Sequence, residues 1–421
     1  MIDDPRSFLA DLFKAAVDAA DPKLALQGHL PPRPAGRTVV VGAGKGSAQL
    51  AAAFEDLWDG PVSDTVVTRY GYSCPTRQIR VLEAAHPVPD PAGLKASAAL
   101  LDEVKGLTKD DLVVALVCGG GSALLPAPPD GLSLEDEIAV NQALLSSGAP
   151  IGEMNAVRKH VSQIKGGRLA AAAAPATVVS LVVSDIPGDN PALVASGPTV
   201  PDAEGRETAL AIIDRYRMEL PPAVLNHIQS AGSAAPMPTD DVFSNHAVHV
   251  IASARQSLQA AAERAQAAGV TPVILSDAIE GEARDIGRMH GALAREVALN
   301  NAPFTKPTVL LSGGETTVTV RDPNGRGGRN GEFTLSLARD IAGLDQVTAL
   351  AADTDGIDGT EDNAGAFADG GTWPTLVDRG FDPATALGNN QSWAAFKEIG
   401  DLFVTGPTGT NVNDFRAILI Q

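Results

Sequence analysis

What most limits the fold of this chain is an alternation. Short β-branched runs at 37–41, 64–68, 79–84, 111–118, 177–183, 247–252, 272–276, 308–311, 347–352 and 401–404 are separated by alanine-rich stretches of helical character. Strands that recur with helices between them build a largely parallel sheet, because each return to the same sheet edge needs a crossover. The expected class is therefore α/β. At 421 residues the chain exceeds one usual core, which points to two domains. Periodic pattern gives way to small residues, prolines and acids in SAGSAAPMPTDD, Ser230 to Asp241, so the domains are expected at 1–235 and 236–421. The N-terminal one reads as a Rossmann-like parallel sheet. The alternating TTVTV beside a glycine-rich loop predicts a mixed sheet with a hairpin in the C-terminal one, and the active site is expected in the cleft between them.

Charge narrows the partners. A net charge of −19 repels nucleic acid and anionic lipid, so an anionic small molecule has to be met by local positive charge. The two cysteines, Cys74 and Cys118, imply no disulfide framework and agree with a cytoplasmic location. The nearly apolar run Leu169 to Val183 is interrupted by Pro175 and is shorter than the roughly 18 residues that suggest a membrane span.

Most of the unusual polar clusters directly follow a predicted strand: GAGKGS, RYGYS, AAHPVPD, CGGGSALL, SDIPGD, SGGETT, DTDGIDG and TGPTGTNVND. Ligands of parallel α/β sheets bind at the carboxyl ends of strands, where such loops converge. The first loop is not a P-loop, since Val39 stands where the leading glycine belongs and Gly46 follows Lys45. It is closer to a dinucleotide turn, with Gly42 and Gly44 in place and Ser47 third, and the next strand ends on Arg69, which would suit a 2′-phosphate. More generally, free amides of Gly44, Gly46 and Ser47 beside the Lys45 ammonium make an anion site. Gly120, Gly121 and Ser122 offer a second one, and His86 is a substrate contact or a loop hydrogen-bond donor.

Further cations lie in NAVRKHVSQIKGGRLA, where a helix would place Arg158, Ser162 and Lys165 on one face. GRGGRNGE sets Arg326 and Arg329, with Asn330, among four glycines, where backbone can approach phosphate oxygens and a guanidinium can fork onto them. Gly314 and Glu315 of SGGETT and Asn411 of TGTNVND complete the binding candidates. The acids Asp185 and Asp189, with Asp353, Asp355 and Asp358, suit Mg²⁺ or removal of a hydroxyl proton. DTDGIDG is not a calcium hand, because Ile357 and Ala364 occupy ligand positions.

HPVPDPAG, NAVRKHVSQIKGGRLA, SDIPGDNPALVASGPT, SGGETTVTV with GRGGRNGEF, DTDGIDG and TGPTGTNVNDF, in this order, resemble the class II glycerate 2-kinases, a group that includes proteins called hydroxypyruvate reductases of tartrate utilisation. The resemblance runs from about Val40 to Phe415, with Gly331 standing where glutamine is expected. It implies an N-terminal Rossmann-like domain, a C-terminal domain of the MOFRL type, and transfer of the γ-phosphoryl group of ATP to the 2-hydroxyl of D-glycerate with Mg²⁺. The family's lysine maps to Lys45 and its arginine to Arg329. Asp189 is then the residue chosen to orient or deprotonate the hydroxyl, and Asp185, Asp353 and Asp355 are the metal ligands chosen. D-glycerate and ATP are the expected partners, with a homodimer as the assembly. The rival is an NAD(P)H-dependent hydroxypyruvate reductase, which needs a general acid that no histidine–acid pairing supplies.

Overall fold

The computed structural model describes residues 2–421, which divide into two compact units, one from Pro22 to Ile251 and one joining residues 2–21 to Ala252–Gln421. This differs from the boundary expected at 235/236. The chain leaves the first unit within a strand rather than in the Pro-rich segment, and the first helix, Pro5–Asp18, belongs with the C-terminal half. The apolar stripe of that helix, Leu9, Leu12, Phe13 and Ala16, joins a core with Leu258, Ala261, Leu350 and Phe415. Its sequence shows the stripe but not which sheet will cover it.

The first unit is built on β1 (Thr38–Ala43), β2 (Ser63–Arg69), β3 (Arg80–Ala84), β4 (Leu112–Cys118), β5 (Thr177–Ser184) and β6 (His246–Ser253), in the order β3-β2-β1-β4-β5-β6. The pairs β2–β3, β1–β2, β1–β4 and β4–β5 are parallel. TVVVGA and LVVALVC are buried at every position, as central strands covered on both faces must be. Strand order reverses between β1 and β4. Such a reversal opens a crevice at the carboxyl ends of the two strands.

The second unit holds β7 (Thr271–Ser276), β8 (Gly281–Glu282), β9 (Thr308–Gly314), β10 (Thr316–Thr317), β11 (Val347–Asp353), β12 (Gly365–Asp369), β13 (Leu402–Phe403) and β14 (Asp414–Ile420). Its main sheet, β13-β12-β11-β14-β9-β7, is mixed, with β7 and β9 parallel and the other pairs antiparallel. The hairpin expected over TTVTV does not form. Only β10 pairs, in parallel with β8, and two residues beyond it the Thr319 N–H goes to the Glu282 carboxylate at 3.1 Å instead of to a strand.

Candidate functional site

In the first unit, the GAGKGS and CGGGS loops meet at the switch point. Lys45 N–H donates to the Gly119 carbonyl at 2.9 Å. A Cβ on Gly44, whose φ is 138°, would stand 2.5 Å from the Cys118 carbonyl oxygen, so only glycine permits the approach. A Cβ on Gly120 would lie 3.1 Å from Lys45 Cγ and 3.3 Å from His86 Nε2, and one on Gly119 would overlap the Asp185 carboxylate. The bare glycines thus let Lys45, His86 and Asp185 gather around one turn. Gly121 packs against Ala195.

Beside this turn lies a cavity of about 210 Å³, lined by His86, Gly120, Ser122, Arg158 and Asp185 together with Asn141, Asn155, Leu193, Ala195 and Ser196. It is smaller than the roughly 300–1,000 Å³ of pockets for drug-sized ligands and suits a small acid. A polar chain runs along it. Ser196 Oγ donates to Asn155 Oδ1 at 2.8 Å and lies 2.8 Å from Ser122 Oγ, and Arg158 donates to Asn155 Oδ1 (3.1 Å) and Asn141 Oδ1 (2.9 Å). Ala195 and Ser196 hold φ of 52° and 60°, a left-handed pair that costs about 1–3 kcal/mol each and clusters at functional sites. Among the described residues no carboxylate lies within 4.0 Å of the Arg158 guanidinium. Burial pushes that guanidinium down to about 10. Its hydrogen bonds go to amide oxygens while the Glu137 charge acts from farther away, and a desolvated cation of this kind can receive a carboxylate or phosphate. Burial, with the charges of Lys45 and Arg69 beyond it, pushes His86 down to about 4, so its imidazole is neutral near pH 7.

Several sequence candidates do not face this cavity. Ser47 is fully buried, and its hydroxyl lies against the carbonyls of Gly44 (2.9 Å) and Val67 (2.7 Å), tying the turn to β2. Gly46 is the N-cap of the helix Ser47–Leu57. Asp189 sits in a left-handed turn after β5, with φ of 54°, and is not among the cavity-lining residues. The continuous basic helix is also absent: a helix ends at Arg158, a 3₁₀ turn covers Lys159–Val161, and Ser162 is extended. Lys159 is buried on Asp202, and Lys165 is buried with Nζ 2.5 Å from Glu137 Oε1. Lys165 is therefore an internal ion-pair partner instead of a substrate ligand. Replacing it by methionine strands the Glu137 carboxylate and is expected to cost about 3–5 kcal/mol, with the pair replacement Lys165→Met plus Glu137→Gln recovering most of it. Urea unfolding of the two variants measures this; a single variant as stable as the parent would return Lys165 to the surface.

In the second unit, Arg329 opens the helix Arg329–Asp340 and is surrounded by acids. Its Nε donates to Asp414 Oδ1 (2.6 Å), Nη2 to Asp353 Oδ2 (2.6 Å) and Nη1 to Glu315 Oε1 (3.3 Å). Three of its five N–H groups are used, and the side chain keeps 24% exposure. Asn330 Nδ2 donates to the same Asp414 Oδ1 at 2.9 Å. Asp358 caps the helix, accepting from the Asn330 and Gly331 amides at 2.9 and 2.7 Å, so the amides expected for phosphate already hold a carboxylate. A side chain at Gly331 would have to displace Ser392, whose Oγ would stand 2.8 Å from the added Cβ. Gly314 is required by the close passage of the Ile279 backbone, and the Asn411 carboxamide accepts from Asn413 N–H at 3.0 Å within its own loop. Arg326 pairs with Glu361 and lies 3.6 Å over the Trp393 ring.

Asp353 is buried and carries its Oδ2 on Arg329 and its Oδ1 on the Asp355 amide at 3.1 Å. Burial, together with Asp355 and Asp414, raises it well above the usual carboxylate range, against the pull of Arg329. Among the described residues no three His, Cys, Asp or Glu side chains group as a metal cage. Asp353 is thus committed to Arg329, which corrects its assignment as a free metal ligand. Hard carboxylate oxygens in this number fit Mg²⁺ only in the manner of one or two carboxylates completed by substrate phosphates and water.

The sequence reading missed Asn141, Asn155, Ser196, Asp414 and Arg416. ASGPT contains Ser196, and NDFRAILI places two charges at alternate positions of an otherwise apolar strand, which puts both on one face of the sheet.

Fold and site together define an α/β protein with a small polar-lined cavity at the switch point of a Rossmann-order sheet and a second unit carrying an arginine–carboxylate cluster. A domain family described as "Domain of unknown function (DUF4147)" matches residues 8–229, and the MOFRL family matches residues 308–414. The chain is 51% identical to a putative hydroxypyruvate reductase of Agrobacterium vitis, over 99% of its length and 94% of the relative's. It is 40% identical to the D-glycerate 2-kinase of Thermotoga maritima over 99% of both chains. A crystal structure of glycerate kinase from Thermotoga maritima matches with a TM-score of 0.89 at 38% identity, covering 99% of each chain. The chain, with its DUF4147 and MOFRL matches, belongs to the glycerate 2-kinase family. No helix among the described residues is long and apolar enough to cross a membrane.

Proposed function

We propose that this protein is a kinase that transfers the γ-phosphoryl group of ATP to the 2-hydroxyl of D-glycerate, giving 2-phosphoglycerate in the cytoplasm. The observation that carries the reading is the 210 Å³ cavity with Arg158 lacking a carboxylate partner, at the switch point of a chain that matches glycerate kinases from end to end. Arg158 binds the glycerate carboxylate, with Ser122 and Ser196 on its hydroxyls. Phosphoryl transfer demands charge around the moving group more than covalent chemistry, and the cations assigned to that task are Lys45 in the first unit and Arg329 in the second. Asp185, which lines the cavity as Asp189 does not, takes the hydroxyl proton. Asp185 or Asp355, completed by substrate phosphates and water, would hold Mg²⁺, which would supply positive charge to offset that of the phosphoryl group.

The 51% relatives named hydroxypyruvate reductase favour a second reading, reduction of a keto acid by NAD(P)H. That reaction needs a proton donor at the carbonyl, and the His86 imidazole in the cavity carries no proton to spare near pH 7. Phosphorus NMR of the product from ATP and D-glycerate, run beside an NADPH and hydroxypyruvate assay, separates the two. The expected result is a 2-phosphoglycerate resonance without NADPH oxidation; a 3-phosphoglycerate signal, or oxidation alone, would reverse the assignment.

A further inference from the structure

Behind Arg329 stands a second arginine that neither the sequence reading nor the family resemblance assigns. Arg416, on β14, is fully buried, and so is Asp414 two residues before it. Burying two charges is costly unless the remaining donors and acceptors are satisfied, so a retained pair of this kind calls for a specific use. Here the pair is held on both sides. Arg416 Nη1 donates to the Gly313 carbonyl at 3.1 Å, Nη2 donates to Thr316 Oγ1 at 3.1 Å, and Nη2 also binds Asp414 Oδ2. Thr316 closes the triangle, with its amide 3.1 Å and its hydroxyl 3.2 Å from the same Asp414 Oδ2. The Phe333 ring supports the guanidinium with its centroid 5.1 Å from Cζ.

The two oxygens of Asp414 are thereby divided. Oδ2 faces Arg416 and Thr316, while Oδ1 faces Arg329 Nε and Asn330 Nδ2. A carboxylate is planar, so fixing Oδ2 fixes the direction in which Oδ1 presents its lone pairs, and with it the plane of the Arg329 guanidinium. We propose that Arg416 is a positioning residue for phosphoryl transfer: acting through Asp414, it aims Arg329. This rests on the reading that Arg329 contacts the transferring group. Angular error of this kind is felt where the guanidinium must match a transition state and hardly at all in ground-state binding.

What separates this role from mere packing is a loss confined to kcat, with KM held, and its partial recovery by a lysine at the same position.

The test is steady-state kinetics of Arg416→Met, Arg416→Lys and Thr316→Val with ATP and D-glycerate, alongside Arg329→Ala, with circular dichroism for folding. In folded Arg416→Met, kcat is expected to fall about 30- to 100-fold with both KM values within about threefold. Arg416→Lys keeps the charge and recovers at least about tenfold over the methionine variant. Thr316→Val keeps the side-chain shape and loses about three- to tenfold in kcat, which keeps the question open to test if the methionine variant does not fold. Arg416→Met or Thr316→Val folded, with parental kcat, refutes the positioning role while Arg329→Ala remains inactive. Arg329→Ala with parental turnover instead removes the reading on which the role rests.

Discussion

Lys45→Ala is expected to fold normally and to lose about a hundredfold or more in kcat, with KM for D-glycerate changed by less than about threefold. The side chain is half-buried in the turn between β1 and the helix Ser47–Leu57, and no carboxylate lies within 4.0 Å of its ammonium among the described residues. Removing it therefore strands no buried counter-charge, which is why the fold survives. An ammonium that meets the phosphoryl oxygens most closely at the transition state contributes to kcat instead of to ground-state affinity. Arg158→Met in the same assay should show the opposite split, a KM for the acid raised about tenfold or more with kcat within about threefold, because a carboxylate seat binds substrate and transition state alike. Lys105→Ala is the control, since that side chain is 70% exposed and pairs only with Asp102. Lys159 would be a poor control, being buried against Asp202. Near-parental turnover in folded Lys45→Ala would mark the lysine as a packing element of the turn.

The alternation that reveals the α/β class also places all ten of the expected strands, because β-branched runs between glycine-rich loops have few other uses. β12 and β14 escape the same reasoning for different reasons. GAFAD lacks β-branched residues altogether, and DFRAILI begins with two charges that look solvated until the Asp414–Arg416 pair is seen inside the sheet. At the cavity, residues in loops that follow strands were legible because parallel topology brings those loops together: His86, Gly120, Ser122 and Asp185 all line it. Lys165 was misjudged because a lysine in a basic stretch reads the same whether water or Glu137 receives it. Asn155 and Ser196 were invisible for a related reason. Their importance lies in a left-handed backbone at Ala195–Ser196 that sequence pattern does not encode, since neither residue is one that favours it.

Arg329→Ala should be as inactive as Lys45→Ala, but its stability should respond differently to pH. The guanidinium holds Asp414 Oδ1 and Asp353 Oδ2 at 2.6 Å each, and Asp414 keeps its hydrogen bond to Arg416 after the change whereas Asp353 keeps only the more distant charge of Arg416. Asp353 is already raised well above the ordinary carboxylate range by burial and by its acidic neighbours, with Arg329 opposing them. Without that opposition it rises further, so the folded variant binds a proton that the unfolded chain releases at about pH 4. A group raised in the folded state favours folding at low pH and loses that advantage as pH climbs through the folded value. The stability deficit of Arg329→Ala relative to the parent is therefore expected to widen with rising pH, and melting temperatures of the two proteins across the neutral range measure it. Turnover should fall about a hundredfold or more, because the two N–H groups left free by Asp414, Asp353 and Glu315 are the ones available to a phosphoryl oxygen. Arg329→Lys should recover little activity, since a single ammonium cannot hold Asp414, Asp353 and the substrate in three fixed directions at once. A lysine variant with more than about a tenth of parental kcat would mean that charge alone, without the planar fork, is what the reaction uses at this position.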